Sequence, residues 1–184
     1  MNKKRITLDT NILGDEKISQ IKDAVQGKEL EIAVVTVSDR EIEGSKIKPI
    51  AVKILETGVW DESQWDNMVW GDSVNESFVL GESKLNSGQL GSEKTVDMFE
   101  TILKIISSGS FPKAGSRENL AKGEKHQLRD AMILEAHCRE KRDVLVSDDT
   151  RAFGKRDSKL RQELEELCKT KIMTSEEFCE EAKN

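Results

Sequence analysis

Apolar positions change their spacing several times along the chain, and each change marks an element. Ile6 and Leu8 alternate with Thr7, predicting a short strand over 5–9 that runs into Asp9-Thr10-Asn11. In KISQIKDAVQG, residues 17–27, Ile18, Ile21, Ala24 and Val25 share one helical face and Gly27 supplies a stop. LEIAVVTV, residues 30–37, is β-branched and almost continuously apolar, the pattern of a strand covered on both faces. Helical spacing returns over 38–57, broken or kinked at Pro49. Val96, Phe99, Ile102, Leu103 and Ile106 predict an amphipathic helix, with a loop over 111–123 after it. A helix over 128–141, a buried strand at 143–147, a helix over 158–169 and a strand at 171–173 complete the order. Thr174 and Glu177 form a capping box that opens a last helix. Strands alternating with helices predict an α/β fold with a parallel sheet.

Composition narrows the class without naming a function. With 184 residues the chain has room for one domain, 1–184, and one insertion. Charged residues make up 35% and the net charge is −6, which disfavours coating nucleic acid by bulk charge. No apolar run approaches a membrane span, and Asp9 interrupts the only apolar stretch near the start, so neither a membrane segment nor a signal peptide is expected. Cys138, Cys168 and Cys179 lack CxxC spacing and read as buried or free thiols of a cytoplasmic protein.

The acids at the strand ends carry the chemistry. In open α/β sheets, ligands gather outside the carboxyl ends of the strands. Asp9 follows the first strand, Glu41 the second, with Asp39 and Glu43 nearby, and Asp148-Asp149 follow DVLVS. Asp130 stands in the first turn of the predicted 128–141 helix among Leu128, Ala131 and Met132. Each acid alone has an ordinary explanation as a turn residue, a cap or a first-turn acid favoured by the helix dipole. Four separate segments aimed at one edge are harder to explain that way. Gathered carboxylates raise one another's pKa values unless a cation compensates. Mg2+ or Mn2+, with oxygen ligands and retained waters, suits such a site, and phosphodiester hydrolysis suits such a metal. Asn11 would then support a ligand carboxylate or a metal-bound water.

On these residues the chain resembles the PIN-domain nucleases, the family of VapC-like ribonucleases. The resemblance rests on ITLDTNIL, VTVSDREI, LRDAMILEAHCREKRDVLVSDDTRAF and IMTSEEF, in that order. It implies a PIN-like three-layer α/β/α sandwich with a central parallel sheet. It also implies a metal-dependent endoribonuclease, with Asp9, Glu41, Asp130 and Asp149 as catalytic metal ligands for Mg2+ or Mn2+. Asn11 matches the family's amide, and Ser147 takes the position of its threonine. Asp148 competes with Asp149, and Glu43 with Glu41, although Glu43 would lie on another face of a helix opening near Ser38. A homodimer, and a toxin role beside an antitoxin, follow from the same resemblance.

Cations near the acids fit an RNA substrate: Lys125 and Arg129 before Asp130, and Arg151, Lys155, Arg156, Lys159 and Arg161 after Asp149. Lysines and arginines of a solvated helix face, with Glu163, Glu165 and Glu166 as partners, are the plainer explanation for the last group. Residues 58–93 form a short β-rich insertion in which a motif recurs every ten residues: Val59-Trp60-Asp61, Val69-Trp70-Gly71, Val79-Leu80-Gly81. It holds all three tryptophans and is acidic, which favours packing or a protein partner over RNA. Two other functions compete. A phosphatase-type phosphotransferase would want D-x-D, and Asn11 fills its second position. A non-catalytic PIN-like binding module would act through 58–93, and the complete set of four acids counts against it.

Overall fold

The computed structural model describes residues 4–35, 53–55, 93–113, 116–117 and 119–183. Strand β1 (Lys4–Leu8) leads through a 3-10 turn (Thr10–Ile12) into α1 (Asp15–Ala24). Then come β2 (Leu30–Val35), β3 (Lys53–Leu55), α2 (Glu93–Ile106), α3 (Lys122–Arg139), β4 (Val144–Val146), α4 (Lys159–Cys168), β5 (Lys171–Met173) and α5 (Ser175–Lys183). Among the described residues the strands form one parallel sheet in the order β3-β2-β1-β4-β5.

The two-residue period of a strand divides the apolar residues between two cores. Val144 and Val146 join Ile6, Leu8, Val34, Ile18, Ile21 and Phe178 on one face, under α1 and α5. Leu145 joins Ala33, Val35, Phe99, Leu134 and Leu164 on the other, under α2, α3 and α4. Helices therefore cover both faces of a parallel sheet, as its near-continuous apolar strands require.

Buried polar groups pin the strands together. Arg142 has a fully buried side chain. Its Nη2 donates to the carbonyls of Ile6 and Glu31, each at 2.7 Å, and its Nη1 to Glu31 Oε1 at 2.7 Å. One guanidinium thus joins β1 to β2. His137 in α3 makes the other link, with Nδ1 2.8 Å from Thr7 Oγ1 and Nε2 2.7 Å from Thr170 Oγ1. Burial above all, then the positive charges of Arg142 and Arg5, lower its pKa from 6.5 to about 3.

Several expectations change. Lys53–Leu55 is a strand rather than part of a helix, because it completes the ladder along β2. Helix α3 starts at Lys122 and not near Leu128; Glu124 Oε2 accepts the Ala121 N–H at 2.6 Å and closes its first turn. Asp130 is therefore a mid-helix residue, and the dipole does not explain it. Cys138 and Cys168, expected as thiols, form a disulfide that ties α3 to α4, while Cys179 stays free. That bond removes the ground on which a reducing compartment was expected. The Thr174–Glu177 capping box forms as expected, with the Thr174 N–H donating to Glu177 Oε2 at 3.0 Å and the Glu177 N–H to Thr174 Oγ1 at 3.2 Å. The 58–92 part of the insertion lies outside the described residues, and Glu93 opens α2. No helix among the described residues is long and apolar enough to cross a membrane.

Candidate functional site

The strand order places a topological switch between β1 and β4: the chain moves outward from β1 to β2 and β3, then restarts on the other side at β4. The crevice beyond the carboxyl ends of such a pair is where open α/β sheets bind ligands. Register makes the two ends level, because Leu8 stands opposite Val146 and Val146 opposite Met173. The Asp9 N–H donates to the Val146 carbonyl at 3.0 Å, and the Ser147 N–H to Met173 at 2.9 Å. Asp9 and Ser147 thus leave the sheet side by side.

Their side chains form one network. Asp9 is 4% exposed. Its Oδ1 accepts the Thr10 N–H at 2.6 Å, and its Oδ2 accepts Ser147 Oγ–H at 2.6 Å and Asn11 Nδ2–H at 2.7 Å. Three donors suit a group that, ionised, only accepts. Ser147 Oγ in turn accepts from the Asp149 N–H at 3.1 Å and from Asn11 Nδ2 at 3.2 Å. Asn11 Oδ1 accepts the Asp148 N–H at 3.0 Å, which fixes the orientation of its amide. Ser147 spends its single proton on Asp9 and uses its lone pairs to hold Asn11 and the backbone of Asp149. Only the hydroxyl of Ser147 is used in these contacts.

Asp148 and Asp149 part ways here. Asp148 turns to α5, where Ser175 N–H and Oγ donate to it at 2.7 and 2.9 Å, and Lys17 lies 2.6 Å from its Oδ2. Burial alone would raise its pKa, but the hydrogen bonds from Lys17 and Ser175 hold it below the usual carboxylate range. Lys17 Nζ also donates to the Asn11 carbonyl at 3.1 Å. Asp148 is a tether between β4, α1 and α5. Asp149 keeps its place at the edge, with Oδ1 accepting the N–H groups of Arg151 and Ala152 at 2.9 and 3.1 Å.

Asp130 is placed by the register of α3. His137 anchors that helix at the level of Thr7. Asp130 lies two turns toward the helix N-terminus on the same face as His137, a rise of about 10 Å. Asp9 lies about 7 Å beyond Thr7 along β1. Asp130 is therefore carried to the carboxyl edge, on the stripe that faces the sheet. Glu41, with Asp39 and Glu43, lies outside the described residues. Among the described residues no three His, Cys, Asp or Glu side chains draw together into a group that could hold a metal ion. Taken singly, the candidate acids Asp9, Asp130 and Asp149 offer hard carboxylate oxygens. Beside Asp9 lies one orphan, Thr10 Oγ1, buried and without a hydrogen-bond partner among the described residues.

The basic rim divides as well. Arg151, Lys155, Arg156 and Lys125 are exposed, and Arg129 is half-buried. Arg161 is 5% exposed and belongs to the framework: Nε and Nη2 donate to the Gly154 carbonyl at 3.1 and 2.8 Å, and Nη1 to Glu177 at 2.6 Å. Lys159 pairs with Glu163 at 3.5 Å on the solvated face of α4. The sequence drew no attention to Lys17. Its only signal was a cation in the first turn of α1, close after Asn11.

Compared with known proteins, the chain matches no protein-family model, and a search of curated proteins finds no match.

Proposed function

We propose that this chain is a metal-dependent endoribonuclease of the PIN type, hydrolysing RNA phosphodiester bonds at the crevice between the ends of β1 and β4. The observation that carries the proposal is the network in which Ser147 and Asn11 join the Asp9 carboxylate to the backbone of Asp148 and Asp149 across the switch point. A structural turn needs no such cross-strand clamp on an acid. A metal ligand does, because its carboxylate must keep one position among like charges.

The donor set fits Mg2+ or Mn2+ in chemistry, being carboxylate oxygen throughout. Asp9 and Asp149 would hold the ion, with Asp130 from α3 and Glu41 completing the acids. The bound ion would supply an activated water and neutralise charge on the phosphate. Thr10 Oγ1, next to Asp9 in the chain, is buried and unpartnered among the described residues, and would be free to bond a water brought in with the ion. Arg151, Lys155, Arg156, Lys125 and Arg129 would hold the RNA backbone. Asn11 and Ser147 position Asp9, and Asp148 positions the loop that carries Asp149. A homodimer and a toxin paired with an antitoxin belong to the proposal through the family resemblance alone.

The test is cleavage of unstructured RNA and of tRNA with Mn2+, with Mg2+ and with EDTA, beside an Asp9→Asn protein prepared identically. Metal-dependent cleavage that disappears in the variant is the expected result. Equal cleavage by both proteins, or none by a folded wild type, overturns the proposal.

A further inference from the structure

The turn after β1 carries part of the Asp9 network, and a cation from the next helix grips that turn from outside. Thr10–Ile12 is three residues of 3-10 helix, closed by the Ile12 N–H on the Asp9 carbonyl at 3.0 Å and the Leu13 N–H on the Thr10 carbonyl at 3.1 Å. So short a 3-10 turn has poor hydrogen-bond geometry of its own and gains most from an outside hold. Asn11 sits at its centre and is exposed, yet its amide is committed to Asp9 and Ser147. An exposed side chain gives up rotamer freedom in such a pose, and the cost falls when its backbone is already fixed.

Lys17 fixes it. Its Nζ donates to the Asn11 carbonyl at 3.1 Å and lies 2.6 Å from Asp148 Oδ2. Asp148 completes the circuit, because its own N–H donates to Asn11 Oδ1 at 3.0 Å. The three residues close a ring in which Asn11 is held by its backbone carbonyl and by its side-chain oxygen. Ser175 anchors Asp148 in turn, with its N–H 2.7 Å from Oδ1 and its Oγ 2.9 Å from Oδ2. Helices α1 and α5, which bring Lys17 and Ser175 there, pack on each other and share a core through Ile18, Ile21 and Phe178. The ring is therefore mounted on rigid elements.

The place of Lys17 goes against a local rule. It stands in the first turn of α1, where the helix dipole favours Asp15 and Glu16 over a cation. A cation kept there is one whose contacts offset that cost. Two of its three N–H groups are engaged in the ring, which leaves it poorly placed to grip an RNA phosphate as well.

We infer that Lys17 is a positioning residue of the proposed nuclease: with Asp148 it fixes the Asn11 amide that holds the Asp9 carboxylate. The inference rests on the metal-dependent nuclease reading for the reaction whose rate it sets.

The test compares wild type, Lys17→Met and Lys17→Arg in Mn2+-dependent cleavage of a short single-stranded RNA, and follows the Asn11 side-chain amide by heteronuclear NMR in the metal-free proteins. Lys17→Met should lower kcat about tenfold, the low end for residues that support a metal ligand, and leave KM and its salt dependence unchanged. Lys17→Arg, able to donate to both the carbonyl and the carboxylate, should restore most of the rate. The Asn11 amide, assigned from its absence in Asn11→Asp, should shift in Lys17→Met and return in Lys17→Arg. Methionine favours helix, so urea unfolding should show the variant folded. A raised KM with a flattened salt dependence and unchanged kcat would make Lys17 an RNA-phosphate contact and overturn the assignment. Lowered stability with kcat and the Asn11 amide unchanged would make it a structural tether and overturn it as well. If the wild type cleaves no RNA while the amide shifts in Lys17→Met, the positioning stands and the nuclease falls. Cleavage by the wild type, with kcat and amide indifferent to Lys17, does the reverse.

Discussion

Acidification should weaken this fold through His137, and the size of the effect follows from its surroundings. The imidazole is buried between Thr7 and Thr170 with the Arg142 guanidinium nearby, and its pKa falls from 6.5 to about 3. In the unfolded chain the ring takes a proton near pH 6.5; in the folded chain it stays neutral until about pH 3. Between those values the unfolded state binds more protons, so stability is full above the window and is lost as pH falls through it. The gap of about 3.5 pH units, at about 1.4 kcal/mol each, sets an upper bound of about 5 kcal/mol. Near pH 5.5 the unfolded ring is about nine-tenths protonated, so stability should change by about 1.2 kcal/mol per pH unit. Asp148 and Glu181 have lowered pKa values, so their contributions are lost as pH falls from the usual carboxylate range toward those lowered values, mostly below about pH 5. Urea unfolding followed by circular dichroism between about pH 5 and 6.5 would isolate the histidine. His137→Gln should be less stable at every pH, because Thr7 and Thr170 lose their partner, but its slope in this window should be much flatter. Equal slopes for wild type and variant would refute the account of His137 as a buried neutral group.

Three further outcomes follow from the geometry. Ser147→Ala should lower metal-dependent RNA cleavage about 10–100-fold while Ser147→Thr keeps most of it, measured by initial rates, because only the hydroxyl is used to clamp Asp9. Gly154→Ala should cost about 2 kcal/mol or more in urea unfolding, since φ +80 is strained for alanine and the added Cβ meets the start of α4. Reducing the Cys138–Cys168 bond, which spans 30 residues, should lower stability by about 3–4 kcal/mol and Tm by about 10 °C, with thiol titration confirming that two further thiols join Cys179.

The sequence carried the class of the fold plainly where periods were long and unbroken. The alternation of Ile6, Thr7 and Leu8, the apolar run at 30–35 and the spacing of Phe99, Ile102 and Leu103 all became elements of the expected type. The strand at Lys53–Leu55 was hidden because three residues show no period, and its conformation is decided by the open edge of β2. The start of α3 was missed because its first turns, from Lys122 to Gln127, are polar and Gly123 interrupts them; the helix there holds through the Glu124 bond to the Ala121 N–H. Asp9, Asn11 and Ser147 could be picked out as candidates, but not the way they interlock. That Asp148 turns away as a tether depends on Lys17 and Ser175, residues 131 and 27 positions from it in the chain, and no local pattern reports such contacts. The disulfide was unreadable for the same reason: Cys138 and Cys168 meet only because α3 and α4 pack on one face of the sheet.

The claim that Asp9 and its neighbours form a divalent-metal site is tested most directly by Mn2+ binding, followed by electron paramagnetic resonance of the free ion. Wild-type protein should take up Mn2+, Asp9→Asn and Asp149→Asn should each lose most of that affinity, and Asp148→Asn, which disturbs only the tether to Lys17 and Ser175, should keep it within about tenfold. Equal Mn2+ binding by wild type and Asp9→Asn would contradict the account, because the acid held most firmly at the switch point would then hold no metal.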